Sequence, residues 1–325
     1  MNLRRKLYSL VLLGTLLISA SPSRPAPFQP LKQDLNKQAL RNVQAELQQL
    51  PMGVISFADS VITYDPGNPG SGTGGEPDSA FQNPRLALGP PADTSDSFVS
   101  LGSGGTIVLK FIDNILEDGP GDDLMVFRPN SEDDLLIWIS DDGLTYISVG
   151  RITSDKASLD IAPVANPERT YTYVKLRDDP DQGVAHDPAL GADIDAVAAI
   201  NTALYIEVPA DTLFERETTE IRPEGRPVLS AIAAQIREHA PVTISIHVHT
   251  DSWGAAELNF LLSQQQAGAV RNYFWDMELR LDMEISAVGW GESRPAASNE
   301  TEEGRFRNRR VAFFIRSMQD SMPPN

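Results

Sequence analysis

The sequence predicts two folded modules: an all-β sandwich of jelly-roll type over residues 53–200, followed by an α/β sandwich over residues 201–317. Three observations predict this. Residues 53–200 carry short apolar runs that recur between Gly, Asp and Pro clusters, the texture of a β-sandwich. From about Leu204 onward, strand-like and helix-like patterns alternate, as in a layered α/β domain. The 325 residues exceed one ordinary domain, and a hydrophobic share of 41% is normal for a globular chain.

Charge and cysteine usage narrow the function classes. A formal charge of −18 argues against nucleic acid or an anionic membrane surface as partner. With no cysteine there is no disulfide, no thiolate zinc site, no cysteine nucleophile and no lipobox cysteine. Residues 1–20 read as a signal peptide: Arg4, Arg5 and Lys6 precede an apolar stretch, and Ser19, Ala20 and Ser21 supply small residues for cleavage. The apolar stretch is shorter than the ~20 residues that span a bilayer. No transmembrane segment is therefore expected after cleavage, and export places the protein in the periplasm or at the outer membrane. Residues 21–52 read as a Pro-rich linker and a short helix, with Leu40, Val43, Leu47 and Leu50 on one stripe.

In the first module, strand-like runs fall at residues 53–57, 98–101, 106–111, 124–127, 135–139, 146–149, 171–176 and 194–200. The run Leu135-Leu-Ile-Trp-Ile is apolar throughout, which predicts a strand buried between sheets. Asp142-Gly143 predicts a tight turn, and the Gly/Pro-rich residues 64–78 a long loop. The segments Leu86-Ala-Leu-Gly-Pro-Pro, Asp122-Asp-Leu-Met-Val-Phe and Ala192-Asp-Ile-Asp-Ala-Val resemble those of galactose-binding-like (discoidin-type) jelly rolls. That resemblance implies a non-enzymatic module for glycan, surface or partner contact.

Acidic residues are dense here. Calcium takes hard oxygen ligands on flexible loops, and Asp118, Asp122 and Asp123 around Gly119 and Gly121 are the candidate set. Asp193 and Asp195 are the second choice, at alternate positions on one strand. The spacing is not that of an EF-hand, and solvated turn carboxylates explain the same pattern. A pair of carboxylates also serves glycoside hydrolysis, but an acidic surface produces such pairs by chance.

The second module is organised around residues 244–270. A β-branched run over residues 242–250 ends at Asp251, a Gly-containing turn follows, and a helix begins near Glu257. An acid thus sits where a strand ends and a helix starts, a ligand-gripping geometry with no nucleophile and base beside it. Around it, residues 204–208, 283–288 and 310–316 read as strands and residues 223–239 as a helix, giving a βαβαβ–β order.

Residues 204–317 resemble the OmpA-like (OmpA/MotB) peptidoglycan-binding domain. The matches are Ile221-Arg-Pro-Glu-Gly, His249-Thr-Asp-Ser-Trp-Gly, Asn259, Leu262-Ser263, Ala267 and Val270, then Val288-Gly-Trp-Gly-Glu-Ser-Arg-Pro, Asn299-Glu-Thr-Glu-Glu-Gly-Arg and Asn308-Arg-Arg-Val. The resemblance implies a cleft that grips the diaminopimelate of a peptidoglycan stem peptide, formed by Thr250, Asp251, Asn259, residue 266 and Arg309. Asp251 would meet the ammonium. An arginine expected in the segment Leu-Ser-x-x-Arg-Ala would meet the carboxylate, but this chain reads Leu262-Ser263-Gln264-Gln265-Gln266-Ala267. An amide lacks the charged fork of a guanidinium, and its loss costs about 1.5–3 kcal/mol of binding.

Other residues carry two readings each. Arg309 and Arg310 either order the cleft or make surface ion pairs with Glu302 or Glu303. His247 and His249 alternate on a strand face, but no third ligand stands within reach, so packing explains them better than a metal does. Trp253 and Trp290 serve sugar stacking or core packing. The sequence therefore predicts a non-enzymatic envelope protein that docks to peptidoglycan and presents a β-sandwich to glycan or protein. The alternatives are an adhesin or envelope scaffold with a weakened cleft, and a glycan-acting enzyme using β-domain carboxylates.

Overall fold

The computed structural model describes residues 50–67, 77–92, 97–129, 133–179, 191–239, 242–277 and 283–318. The expected signal peptide, the linker and helix up to residue 49, and the tail beyond Met318 lie outside them.

Eleven strands precede residue 201 among the described residues: β1 (Ser60–Asp65), β2 (Val99–Ser100), β3 (Thr106–Lys110), β4 (Asn114–Leu116), β5 (Leu124–Phe127), β6 (Leu135–Ser140), β7 (Ile147–Ile152), β8 (Ser158–Leu159), β9 (Tyr173–Asp178), β10 (Asp193–Ile194) and β11 (Ala196–Ala199). They form a five-stranded antiparallel sheet in the order β1-β3-β9-β6-β7, a three-stranded sheet β11-β5-β8 and the pair β10-β2. Alternate residues of all three converge on one apolar core, including Ile107 and Leu109, Ile137 and Ile139, Val174 and Leu176, Leu124 and Val126. Period-two alternation explains this, since each strand commits one face to the core.

Three expectations for this region need correction. Residues 53–57 are not a strand: Gly53–Ser56 is a single 3-10 turn, entered through Gly53 at φ 59°. Tertiary contacts override the β-branched propensity there, because Met52 and Ile55 reach the C-terminal core while Phe57 packs on Met125 and Phe127. Nor is β6 buried on both sides. Its Leu136 and Trp138 face outward, with the Lys175 ammonium 5.4 Å from the Trp138 ring centroid. Among the described residues, β5 and its neighbour β11 are covered on both faces: Met125 and Phe127, with Ala196 and Ala198, meet Leu50 and Phe57 on the side away from the main core. Asp142-Gly143 lies in a loop longer than a two-residue hairpin, where the Asp142 carboxylate accepts from the Leu144 and Thr145 amides.

The C-terminal part continues with β12 (Thr202–Pro209), α1 (Ala210–Leu213), α2 (Gly225–Glu238), β13 (Val242–His249), α3 (Ala256–Asp276), β14 (Met283–Gly291), α4 (Glu302–Asn308) and β15 (Arg310–Ser317). The sheet runs β14-β13-β15-β12-β4, parallel between β13 and β14 and antiparallel elsewhere. Leu229, Ile232 and Ile236 of α2, with Ala267, Val270 and Phe274 of α3, cover one sheet face made by Ile244, Ile246, Val248, Val311, Phe313 and Ile315. α3 lies close on β14, because Gly289 leaves no Cβ to clash: one built there would fall 2.1 Å from the Gln264 amide nitrogen.

The fifth strand of this sheet comes from the earlier module. β4 pairs with the start of β12 through Leu116 with Thr202 and Asn114 with Leu204. Asn114, fully buried, donates to the Thr202 hydroxyl at 2.9 Å, and that hydroxyl donates to the Ile115 carbonyl at 2.6 Å. Just beyond, Glu117 takes a two-point pair from Arg316 at 2.6 and 2.5 Å. Among the described residues, no helix is long and apolar enough to cross a membrane.

Candidate binding cleft

β13 delivers its end to the cleft. Thr250 is held there by its amide on the Gly291 carbonyl (3.0 Å), so the end of β14 fixes the position of Asp251. One oxygen of Asp251 accepts the Trp253 amide at 2.9 Å, an Asx turn that shapes the passage into α3. Its other oxygen accepts from Arg309 Nη1 at 2.6 Å. Arg309 stands where α4 meets β15, and it also reaches Asp211 of α1 at 3.2 Å and Glu302 at 3.5 Å. Burial by itself would lower the pKa of Arg309, but the hydrogen bonds and charges of Asp251 and Asp211 outweigh it and raise it. The guanidinium is therefore firmly cationic.

From α3, buried Asn259 donates to the Glu292 carboxylate at 2.6 Å and to the Asp251 carbonyl at 3.3 Å. Two turns on, Gln266 Nε2 donates to the Thr218 carbonyl at 2.7 Å. Asn308, with no exposed surface, orders the loop that leads from β14 to α4, beside Arg309. It accepts the Ala296 and Ala297 amides at 2.8 Å each and donates to the Ala297 carbonyl and to Asn299.

The structure thus brings Thr250, Asp251, Asn259, Gln266 and Arg309 around one cavity of about 110 Å³. Four carboxylates line it (Asp211, Glu215, Glu217 and Asp251) against two guanidiniums (Arg216 and Arg309), a field that favours a cationic group. Sequence reasoning gave no role to Asp211 or Glu292. Asp211 sits on a single-turn helix too short to show periodicity, whereas Glu292 stands in the quoted Gly-Trp-Gly-Glu segment and only its contact was unreadable.

The other candidates lie elsewhere. Arg310 is on the opposite sheet face, 3.6 Å from Glu207 and bonded to the Arg294 carbonyl. Trp290 also faces that side, with the Arg294 guanidinium 3.5 Å from its ring centroid, whereas Trp253 stands at the cleft and is 75% exposed. Of the calcium set, Asp118 and Asp123 come together, but with Asp160 in place of Asp122. Asp122 turns to Lys156 at 3.3 Å and Ser158 at 2.5 Å. Asp123 is fully buried and accepts from Gly119, Asn201 and Ile161, so protein donors meet its charge. Asp195 is likewise inward, accepting the Ala92 amide with both oxygens, and burial pushes its pKa up to about 6.

Comparison with known proteins bears on the C-terminal part. Residues 213–309 match the model of the OmpA family. "Outer membrane protein A" of Bordetella avium is 39% identical over 106 residues, 33% of this chain and 54% of that protein. "Peptidoglycan-binding protein ArfA" of Mycobacterium bovis is 30% identical over 128 residues, 39% of this chain and 38% of its own length. The cell wall anchor of the T6SS from Pseudomonas aeruginosa superimposes with a TM-score of 0.32 at 27% identity, over 35% of this chain and 80% of that one. The chain spans about half the length, or less, of these curated relatives. These matches lend no support to the galactose-binding-like resemblance of residues 53–200. Over residues 213–309, the protein carries an OmpA family domain.

Proposed function

We propose that this chain docks non-covalently to peptidoglycan, gripping the amine of a stem-peptide diaminopimelate in the cleft around Asp251. The observation that carries this reading is the convergence of Thr250, Asp251, Asn259, Gln266 and Arg309 on one cavity rich in carboxylate. A relative named for peptidoglycan binding supports it. An incoming ammonium shares the Asp251 carboxylate with Arg309 and is also met by Asp211, so the acids outnumber the cation that already stands there. The role is adhesive, not enzymatic: residues 53–200 present a β-rich surface to envelope glycan or protein, and export places the protein in the periplasm or against the outer membrane.

The test is co-sedimentation of the purified full chain with peptidoglycan sacculi. Wild type pellets with sacculi, and Asp251→Asn, which keeps the shape and removes the charge, weakens retention about tenfold or more. A wild type that stays in the supernatant would exclude this function. It would favour the second reading, an envelope scaffold in which the Asp251–Arg309 pair at 2.6 Å is only a structural clasp.

A further inference from the structure

The two arginines of the cleft differ in standing. Arg309 is 12% exposed and engaged by Asp251, Asp211 and Glu302. Arg216 also lines the cleft, yet its side chain is 66% exposed, and it touches the carboxylate of Glu302, itself 64% exposed, at 3.3 Å. An exposed pair of this kind contributes little to stability, so exchanging Glu302 for a ligand carboxylate costs the protein little.

Gln266 cannot take that carboxylate as an arginine at its position would. It offers no charged fork, and one N–H of its amide is already given to the Thr218 carbonyl at 2.7 Å, which braces the loop between α1 and α2. That loop is fixed on both sides of Arg216. Phe214 and Ile221 bridge its base, the Thr218 amide and hydroxyl both donate to the Glu215 carbonyl, and Glu217 holds the left-handed region at φ 60°. Among the described residues no other non-glycine has a positive φ, and this one sits directly after Arg216 in the cleft wall.

We infer that Arg216 is the carboxylate-binding residue of this cleft and that its ligand is zwitterionic, with the amine on Asp251 and the carboxylate on Arg216. Gln266 then acts as a positioning residue, through the loop that carries Arg216. The inference rests on the peptidoglycan reading and adds to it the group that selects the acid end of the stem residue. A guanidinium supplies the forked, charged donor set that a carboxylate prefers, from the loop instead of from α3.

The experiment uses the purified full chain and two probes: a synthetic stem peptide ending in diaminopimelate with its terminal α-carboxyl amidated and its side-chain carboxylate free, and the same peptide with the side-chain carboxylate amidated as well. Titration calorimetry on Arg216→Gln should show affinity for the free-acid peptide falling about ten- to a hundredfold, with little change for the doubly amidated one. Arg216→Lys, which keeps the charge without the fork, should fall between. Equal losses for both peptides, or no loss for either, would overturn the inference. If Asp251→Asn abolishes binding while Arg216→Gln leaves it intact, the cleft reading stands and the inference falls. If wild type binds neither peptide, both fall. Because Arg216 is exposed, its variants keep the fold, which circular dichroism checks.

Discussion

His247 and His249 lie on the sheet face away from the helices, their ring centroids 6.5 Å apart. His247 packs against the rings of Phe314 and Trp290. Burial, reinforced by the charges of Arg316, Arg294 and Arg310, lowers its pKa from 6.5 to about 4. The unfolded chain therefore binds this proton first, and stability is lost as pH falls from about 6.5 to about 4. At ~1.4 kcal/mol per pKa unit the effect is on the order of 3 kcal/mol. Asp195 opposes it: its pKa, raised to about 6 by burial, means that acidification over the lower part of the same window stabilises the fold. His247→Gln should accordingly flatten the fall in Tm between pH 7 and pH 4.5, and parallel wild-type and variant curves would refute this. The alternation that put both histidines on one face was legible in the sequence. The arginines that repel their protons were not, because they come from β15 and the loop after β14. The same holds in the cleft: Asp251 and Arg309 were readable one by one, but their 2.6 Å contact joins positions 58 apart in the chain.

At the scale of elements, the pairing of α3 with β14 sets the width of the cleft. Asn259 and Gln266 stand on α3, and three bonds stitch that helix to β14 and the residue after it: Ser263 accepts the Gly291 amide, Gln264 accepts the Gly289 amide, and Asn259 donates to Glu292. Gly289→Ala places a methyl group 2.1 Å from the Gln264 nitrogen and 2.3 Å from the Ser263 carbonyl carbon, both backbone atoms that no rotamer can move. It should destabilise by about 1–3 kcal/mol and loosen ligand binding as well. Gly268→Ala, on the same helix with nothing within 4 Å of the new methyl group, should instead stabilise by about 0.5–1 kcal/mol. Denaturant midpoints of the two variants moving in the same direction would sink this account. Periodicity gave the long elements of the C-terminal sheet to within a residue or three, because a helix or strand of eight or more residues repeats its pattern several times. In the first module it missed β1, whose end it placed in a loop, and β8. It also missed β4, α1 and α4, which like β8 are too short to repeat, and it misjudged residues 53–57, where apolar side chains serve two different cores.

Across the whole molecule, the two modules expected as neighbours in sequence are joined through a common sheet. β4 lends its edge to β12, Met52 enters the C-terminal core, and Ile115 with Ala203, Ala312 and Phe314 forms a small cluster on the back of the sheet. The Glu117–Arg316 and Arg294–Glu168 pairs cross the same junction. A fragment cut to residues 201–317 therefore loses the strand that covers the β12 edge, uncovers Phe314 and Ala203, and leaves a gap where Met52 stood. Burying one such apolar side chain contributes about 1.5–3 kcal/mol, so losing Met52 and Ile115 together should cost the fragment about 3 kcal/mol or more. The exposed edge should also promote self-association. Thermal denaturation of the full chain and of the fragment tests this, with a lower Tm and dye-accessible apolar surface expected for the fragment. Equal Tm values would show that β4 is an ornament on an independent domain. The cleft itself lies on the α1–α3–β15 side and draws nothing from residues before Ala210, so folded fragment and full chain should hold a stem peptide equally well. A fragment that is less stable yet equally competent would separate the two roles of the first module: support of the sheet, without part in the grip.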